Sequence, residues 1–371
     1  MDTFTLDIDS VARQLQRLAS DVTYWLFRAN GGRYYDDFNA GDYVGMGWNS
    51  ITLEDIDNYR GNVDALKSKV HDLFPDDKQP GSTAGQLQRF VYALKKDDIV
   101  LVPSENSERY LIGKITSEVY AETDEELLDD KRHSPYQKRR KVHWLGVIDR
   151  NSADPALYKL VYAGHTLSNA DEYKDYINRA LFDSYITDDK IHSTYLVNQL
   201  QDIDMLDQST FTYSYAHIHK LLFPDEKLIS KTNVQSLGPI EIVGGITCVV
   251  LVSGLLLFAF RKEIKKASFK FFGQSVTIEK GETKEESVWK IERERRELEL
   301  KEREATDKHI AAQDEHISNL INNASKIQQF SEDAVSAMKN IDITTSTELI
   351  SAIQKANRLT ENSSSKNKPE S

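Results

Sequence analysis

The sequence predicts an α+β protein with a strand-rich N-terminal region, one membrane-spanning helix and a long C-terminal helix. Three observations carry that expectation. Short apolar runs bounded by Gly, Asn and Asp recur between residues 23 and 148, as strands and turns do. Nineteen residues from Ile242 to Phe260 carry no charge. Residues 284–330 are almost all charge in their first half and place Ile310, Ile317, Leu320, Ala324 and Ile327 at seven- and three-residue steps in their second.

Composition narrows the function classes. The 371 residues hold 47 Lys and Arg against 59 Asp and Glu, a formal charge of −12, so any polyanion site must be local. The single cysteine, Cys248, sits inside the apolar run, which excludes an intramolecular disulfide and suggests apolar packing. The opening stretch MDTFTLDIDSVARQLQRLASDVTYW is acidic where a signal peptide is basic and has no apolar core, so residues 1–21 are expected as a helix and not as an export signal.

Residues 22–150 form the first expected domain. TYWLFRA (23–29) is a buried strand, GGRYYDDF (31–38) a turn and short helix, and YVGMGW (43–48) a strand. A helix follows around 53–73, and STAGQLQRFVYALKKDD (82–98) puts Leu87, Phe90, Val91 and Leu94 on one helical face. DIVLVPSENSERYLIGKITSEVY (98–120) is a hairpin by composition, and VHWLGVI (142–148) is the closing strand. Between them, 121–141 is expected as a charged surface loop ending in Lys138, Arg139, Arg140 and Lys141, either simply solvated or a phosphate-contacting patch.

The stretches YWLFRANGGRYYDDFNAGDYVGMGWNSI, GQLQRFVYALKKDDIVLVP, RYLIGKITSEVY and HWLGVI together resemble the PUA-like, EVE-like domains at the N-terminus of Mrr-type restriction endonucleases. The resemblance covers roughly 125 residues. It implies a PUA-like twisted β-barrel with helices and an aromatic-lined pocket that reads a nucleotide or a modified base, where stacking supplies affinity and an amide reads the base edge. Carried over residue by residue, that pocket falls first on Trp48 and Asn49, then on Arg28, Gly32, Tyr34 and Tyr35, with Pro103 and Tyr110 as wall. Trp25 and Trp144 are expected in the core. Arg28 could equally pair with Asp36 or Asp37.

Past residue 150 the chain departs from that family, with no strand carrying the acids and lysine of a Mg²⁺ nuclease. Residues 151–235 are expected as a second small mixed α/β domain. His192, His217 and His219 lie far in sequence from any cysteine cluster and suggest no metal; nothing calls for a cofactor or an enzymatic role.

Residues 240–260 are expected to span a bilayer, since at ~1.5 Å per residue the uncharged run approaches the ~30 Å hydrocarbon thickness. Arg261, Lys262, Lys265, Lys266 and Lys270 crowd its C-terminal flank and would place the tail inside. The absence of an export signal argues instead for a cytoplasmic N-terminal domain. Residues 261–283 are a juxtamembrane strand segment, 284–358 a helical coiled-coil region and 359–371 a disordered tail. The functional expectation is a single-pass inner or plasma membrane sensor of a nucleotide or modified nucleic acid in bacterial antiphage defence. It would homo-oligomerise through span and coiled coil. The alternative is a non-enzymatic membrane scaffold binding a protein partner.

Overall fold

A computed structural model describes residues 4–28, 30–131, 133–150, 153–162, 164–199, 203–232, 238–271, 274–280, 289–295 and 314–366. The chain divides into two compact units, Asp21–Leu181 and a second made of Met1–Ser20 with Phe182–Ser371. The N-terminal unit thus runs some thirty residues past the boundary expected at 150, because Leu167–Asn169 adds a strand beside Tyr24–Phe27.

In Asp21–Leu181 the strands lie in the order Tyr43–Met46, Lys138–Asp149, Arg109–Ile115, Ile99–Pro103, Tyr24–Phe27, Leu167–Asn169. Tyr24–Phe27 and Ile99–Pro103 are parallel and the other neighbours antiparallel. A parallel pair needs a crossover, and the helices Leu53–Asn58, Val63–Leu73 and Pro80–Gln88 lie in it. The first of these starts at a capping box in which Thr52 Oγ1 accepts from the Asp55 N–H and Asp55 returns the bond to the Thr52 N–H. Asp98 pins the start of the parallel pair: it accepts from Trp25 Nε1 at 2.9 Å and from the backbone N–H groups of Thr23 and Lys95.

The expected barrel is a curled half-barrel. Lys138–Asp149 pairs with Tyr43–Met46 through its first four residues and with Arg109–Ile115 from Val142 onward, across a register shift at Ile112/Gly113. The curl stops short of closure because Tyr43–Met46 and Leu167–Asn169 stand at opposite ends of the strand order.

The second unit overturns the membrane span and, with it, the single-pass localisation. No helix among the described residues is long and apolar enough to cross a membrane. The uncharged run is two elements: Ile242–Gly245 ends the strand Gly238–Gly245, and only Ile246–Phe260 is helical. Fifteen residues at ~1.5 Å rise reach about 22 Å, short of a ~30 Å core. This helix is apolar all round because protein surrounds it. Cys248 through Leu256 are all buried, and their neighbours include Phe211, Tyr215, Ile218, Ile327 and Ala334. The Ser253 Oγ lies 2.7 Å from Tyr195 Oη and 3.3 Å from Tyr215 Oη while donating to the Val249 carbonyl. Lys280 donates to the carbonyls of Phe258 and Arg261, supplying a cation and two donors at the helix C-terminus.

Sheets lie on either side of this helix in the chain. Ile229–Thr232, Gly238–Gly245, Lys190–Val197, Ser184–Thr187 and Gln16–Leu18 form one, in that order, with Ile343–Thr345 on Lys190–Val197. The other is Phe4–Asp7, Lys266–Phe271, Gln274–Glu279 and Lys290–Arg295. The expected N-terminal helix is therefore a strand, a short helix Ile8–Gln14 and a second strand, because the two ends of the segment pair with strands far along the chain. The basic flank Lys266–Lys270 is sheet, and the juxtamembrane segment is a hairpin within this unit.

The long C-terminal helix is likewise corrected. The chain has a strand at Lys290–Arg295, helical residues 314–322, a helix Ala324–Asn340, the strand Ile343–Thr345 and a helix Thr347–Lys366. Ile317, Leu320 and Ile327 of the expected seam are fully buried in this unit's own core, so the heptad pattern is satisfied within the chain; Ile310 lies outside the described residues, as does 367–371.

Candidate functional site

Lys138, Arg139 and Arg140, expected on a surface loop, are the first three residues of a strand and no more than 2% exposed. Their charge goes to carbonyl oxygens. Lys138 Nζ donates to Trp48 O and Ile51 O, both at 2.9 Å. Arg139 donates to Tyr136 O and Ser134 O, reaches Glu122 Oε2 at 3.3 Å and stacks 4.1 Å over the Tyr43 ring. Arg140 donates to Phe90 O, Val91 O and Ser117 O. A phosphate-contacting patch there is excluded by geometry, since the donors already face inward.

Lys138 shapes the corner that matters. Trp48 is half-buried and adopts φ 55°, a left-handed conformation unusual for a bulky residue and worth roughly 1–2 kcal/mol of strain. The ammonium on its carbonyl and the Ile51 N–H on the same oxygen, at 3.0 Å, hold the turn. Asn49 Nδ2 donates to Pro135 O at 2.7 Å and its Oδ1 accepts from Gln137 N at 3.2 Å, leaving one amide N–H and one lone pair beyond those two bonds. Between Pro135 and Gln137, the Tyr136 ring lies against Gly47 and packs edge-on to Tyr34 at 5.1 Å. Burial pushes the Tyr136 hydroxyl up to about 12, so it remains a neutral donor. The Arg33 guanidinium lies 5.7 Å from the Tyr34 ring centroid.

The residues carried over from the resemblance therefore divide. Asn49 and Tyr34 meet on either side of Tyr136, with Trp48 next to Asn49 in the chain. Arg28, Gly32 and Tyr110 gather elsewhere, at the turn Glu105–Ser107. There Arg28 Nη2 donates to Ser107 Oγ at 3.2 Å and to Leu160 O at 3.4 Å, so it is no partner of Asp36 or Asp37. Gly32, at φ 94°, lets its backbone close on Ser104 and Glu105, where a Cβ would come within 2.5 Å. Tyr110 is buried opposite Pro103, and burial raises its hydroxyl while Ser107 and Arg28 pull it down. Tyr35 is buried with Arg109 over its ring at 5.7 Å. Trp25 is core, and Trp144 is half-buried with Nε1 on Phe38 O.

Tyr136 has no place among the expected site residues and Lys138 stands there only as a surface cation, because the acids and Pro135 around them suggest a loop. The period-two spacing of Tyr136, Lys138 and Arg140 is the signal that could have found a strand.

Desolvation lowers the Lys138 ammonium from its ordinary 10.5 to about 8, with Asp55 opposing it. Below pH 8 both folded and unfolded chains hold the proton and the burial penalty is present in full. Between 8 and 10.5 only the unfolded chain holds it, so stability rises with pH by up to about 1.4 kcal/mol per unit, while the neutral amine keeps two N–H donors for its two carbonyls. Urea unfolding from pH 7.5 to 10 should therefore show wild type gaining on Lys138→Met; parallel curves would refute it.

Residues 25–160 match the model of a family described as a domain of unknown function, DUF8426, which covers the Trp48, Asn49, Tyr136 and Lys138 corner and most of the curled sheet. Searches of the curated proteins and of the solved structures returned no match.

Proposed function

We propose that Asp21–Leu181 binds a nucleotide or a modified nucleic acid through its base, at the corner of Trp48, Asn49, Tyr34 and Tyr136. The observation that supports this is the half-exposed Trp48, held in a strained left-handed turn by a fully buried lysine. Strain maintained by a buried charged group is an arrangement that packing alone does not require, and such outliers cluster at ligand sites. An indole face and a tyrosine pair supply stacking surface, and the remaining valences of Asn49 suit a base edge. The resemblance to PUA-like, EVE-like domains points the same way. In this proposal the protein is a binding module with no reaction of its own, and the second unit carries the output.

Intrinsic tryptophan fluorescence of the full chain, titrated with nucleoside monophosphates and with short oligonucleotides containing cytosine, 5-methylcytosine, adenine or N6-methyladenine, tests it. One of these probes should quench fluorescence saturably. Trp48→Ala should weaken binding by roughly 5- to 150-fold, the equivalent of ~1–3 kcal/mol for base–aromatic stacking, and Trp48→Phe, which keeps an aromatic face, should lose less. If no probe binds, or if Trp48→Ala leaves the affinity unchanged, the proposal is wrong, and a protein partner for this corner becomes the better explanation.

A further inference from the structure

Three elements of the second unit bring a thiol, an imidazole and a carboxylate together. His219 lies in the last turn of the helix Met205–Leu222, Glu226 in the turn that follows Phe223, and Cys248 in the first turn of the central helix Ile246–Phe260. A ring nitrogen of His219, the Cys248 Sγ and a Glu226 carboxylate oxygen lie within 4.8 Å of one another.

Two bland explanations account for part of this. A carboxylate at a helix N-terminus is favourable by itself, and a buried cysteine packs as a small apolar residue. Neither explains His219. It is 3% exposed, and its Nε2 is buried without a hydrogen-bond partner among the described residues. With that nitrogen unprotonated, a neutral imidazole here lacks a Lewis acid or a proton donor.

The backbone makes room for the carboxylate. At Gly245, the N-cap of the central helix, a Cβ would come 2.5 Å from Glu226 Oε2. Glycine at that position leaves this space open to the Glu226 carboxylate. Glu226 is solvent-exposed whereas His219 and Cys248 are buried, so the cluster opens to water on one side only.

We propose that His219, Glu226 and Cys248 bind a divalent transition cation of the zinc type, with water completing a tetrahedral shell. The donor set selects the metal. Thiolate and imidazole suit Zn²⁺ and Co²⁺, whereas Mg²⁺ and Ca²⁺ need oxygen ligands throughout. Zn–S and Zn–N bonds of ~2.3 and ~2.0 Å bring tetrahedral ligand atoms to roughly 3.5 Å separation, a side-chain adjustment from the spacing seen. Coordination exchanges the S–H bond of Cys248 for a sulfur–metal bond and releases the proton to bulk water. The ion would clamp the Phe223–Ile229 turn to the N-terminus of the central helix while keeping one water-occupied coordination position.

Co²⁺ titration of the metal-free full-length protein tests this directly. One equivalent should produce the near-ultraviolet thiolate-to-cobalt charge-transfer band and the intense visible bands of tetrahedral cobalt, and Zn²⁺ should abolish both. Zn²⁺ should also raise the unfolding temperature. Cys248→Ser should remove the charge-transfer band. Glu226→Gln, at an exposed position that folding tolerates, should keep that band and weaken Co²⁺ binding at least tenfold. Absence of the charge-transfer band in wild type would overturn the proposal, as would an unfolding temperature indifferent to Zn²⁺ or an unaltered Co²⁺ affinity in Glu226→Gln.

Discussion

Replacing Arg140 with methionine is expected to destabilise the Asp21–Leu181 unit by about 3–5 kcal/mol, among the largest effects a single substitution produces. The guanidinium donates Nε to Phe90 O at 3.1 Å, Nη2 to Val91 O at 2.8 Å and Nη1 to Ser117 O at 3.1 Å. Phe90 and Val91 lie in the π-helical turn Arg89–Ala93 that ends the Pro80–Gln88 helix, where carbonyl groups run out of intrahelical partners. The planar fork of arginine reaches two adjacent carbonyls at once. Methionine fills similar volume and satisfies none of the three oxygens, each worth ~1–3 kcal/mol when buried and unmet. Arg140→Lys should recover less than half of the loss. Urea unfolding followed by tryptophan emission measures both variants. A loss below about 1 kcal/mol for Arg140→Met would mean that solvent reaches these carbonyls and that Arg140 belongs on the surface after all.

Gly254→Leu is expected to destabilise the second unit by about 3 kcal/mol or more, and Gly254→Ala by roughly 1–2 kcal/mol. At Gly254 the central helix lies close against the sheet containing Phe4–Asp7 and Lys266–Phe271. A Cβ there would come 2.4 Å from Leu6 Cδ2 and 3.2 Å from Phe269 Cε1, and Leu6 and Phe269 are themselves register partners. Even a methyl group forces one of these fully buried side chains to move. In a lipid-facing span leucine at the same position would be neutral or favourable. Thermal unfolding of both variants decides it: a Gly254→Leu protein as stable as wild type would restore a helix with an unoccupied face.

Three members of the candidate corner, Trp48, Asn49 and Tyr34, could be named through the resemblance to PUA-like, EVE-like domains, carried over residue by residue. Tyr136 and Lys138 could not, because they reach the corner from about ninety residues away, through a strand whose cations resemble a solvated loop. Lys138, Arg139 and Arg140 are read wrongly for a general reason. A run of charge is surface by default, and only the presence of several stranded carbonyls at matching depth makes its burial affordable.

The sequence by itself determined the local elements: the buried strand around Tyr24–Phe27, helix within 53–73, the hairpin around Glu105–Ser107, and the apolar character of Ile246–Phe260. These depend on period, caps and turn residues within a few positions. What surrounds an apolar helix is not written in the helix. Lipid and a protein core present the same hydrocarbon to it, and only tertiary structure, with Ser253 against Tyr195 and Tyr215 and Gly254 against Leu6, decided for the core. The same holds for Cys248, whose neighbours His219 and Glu226 exist only once two helices and the turn after the first have folded together.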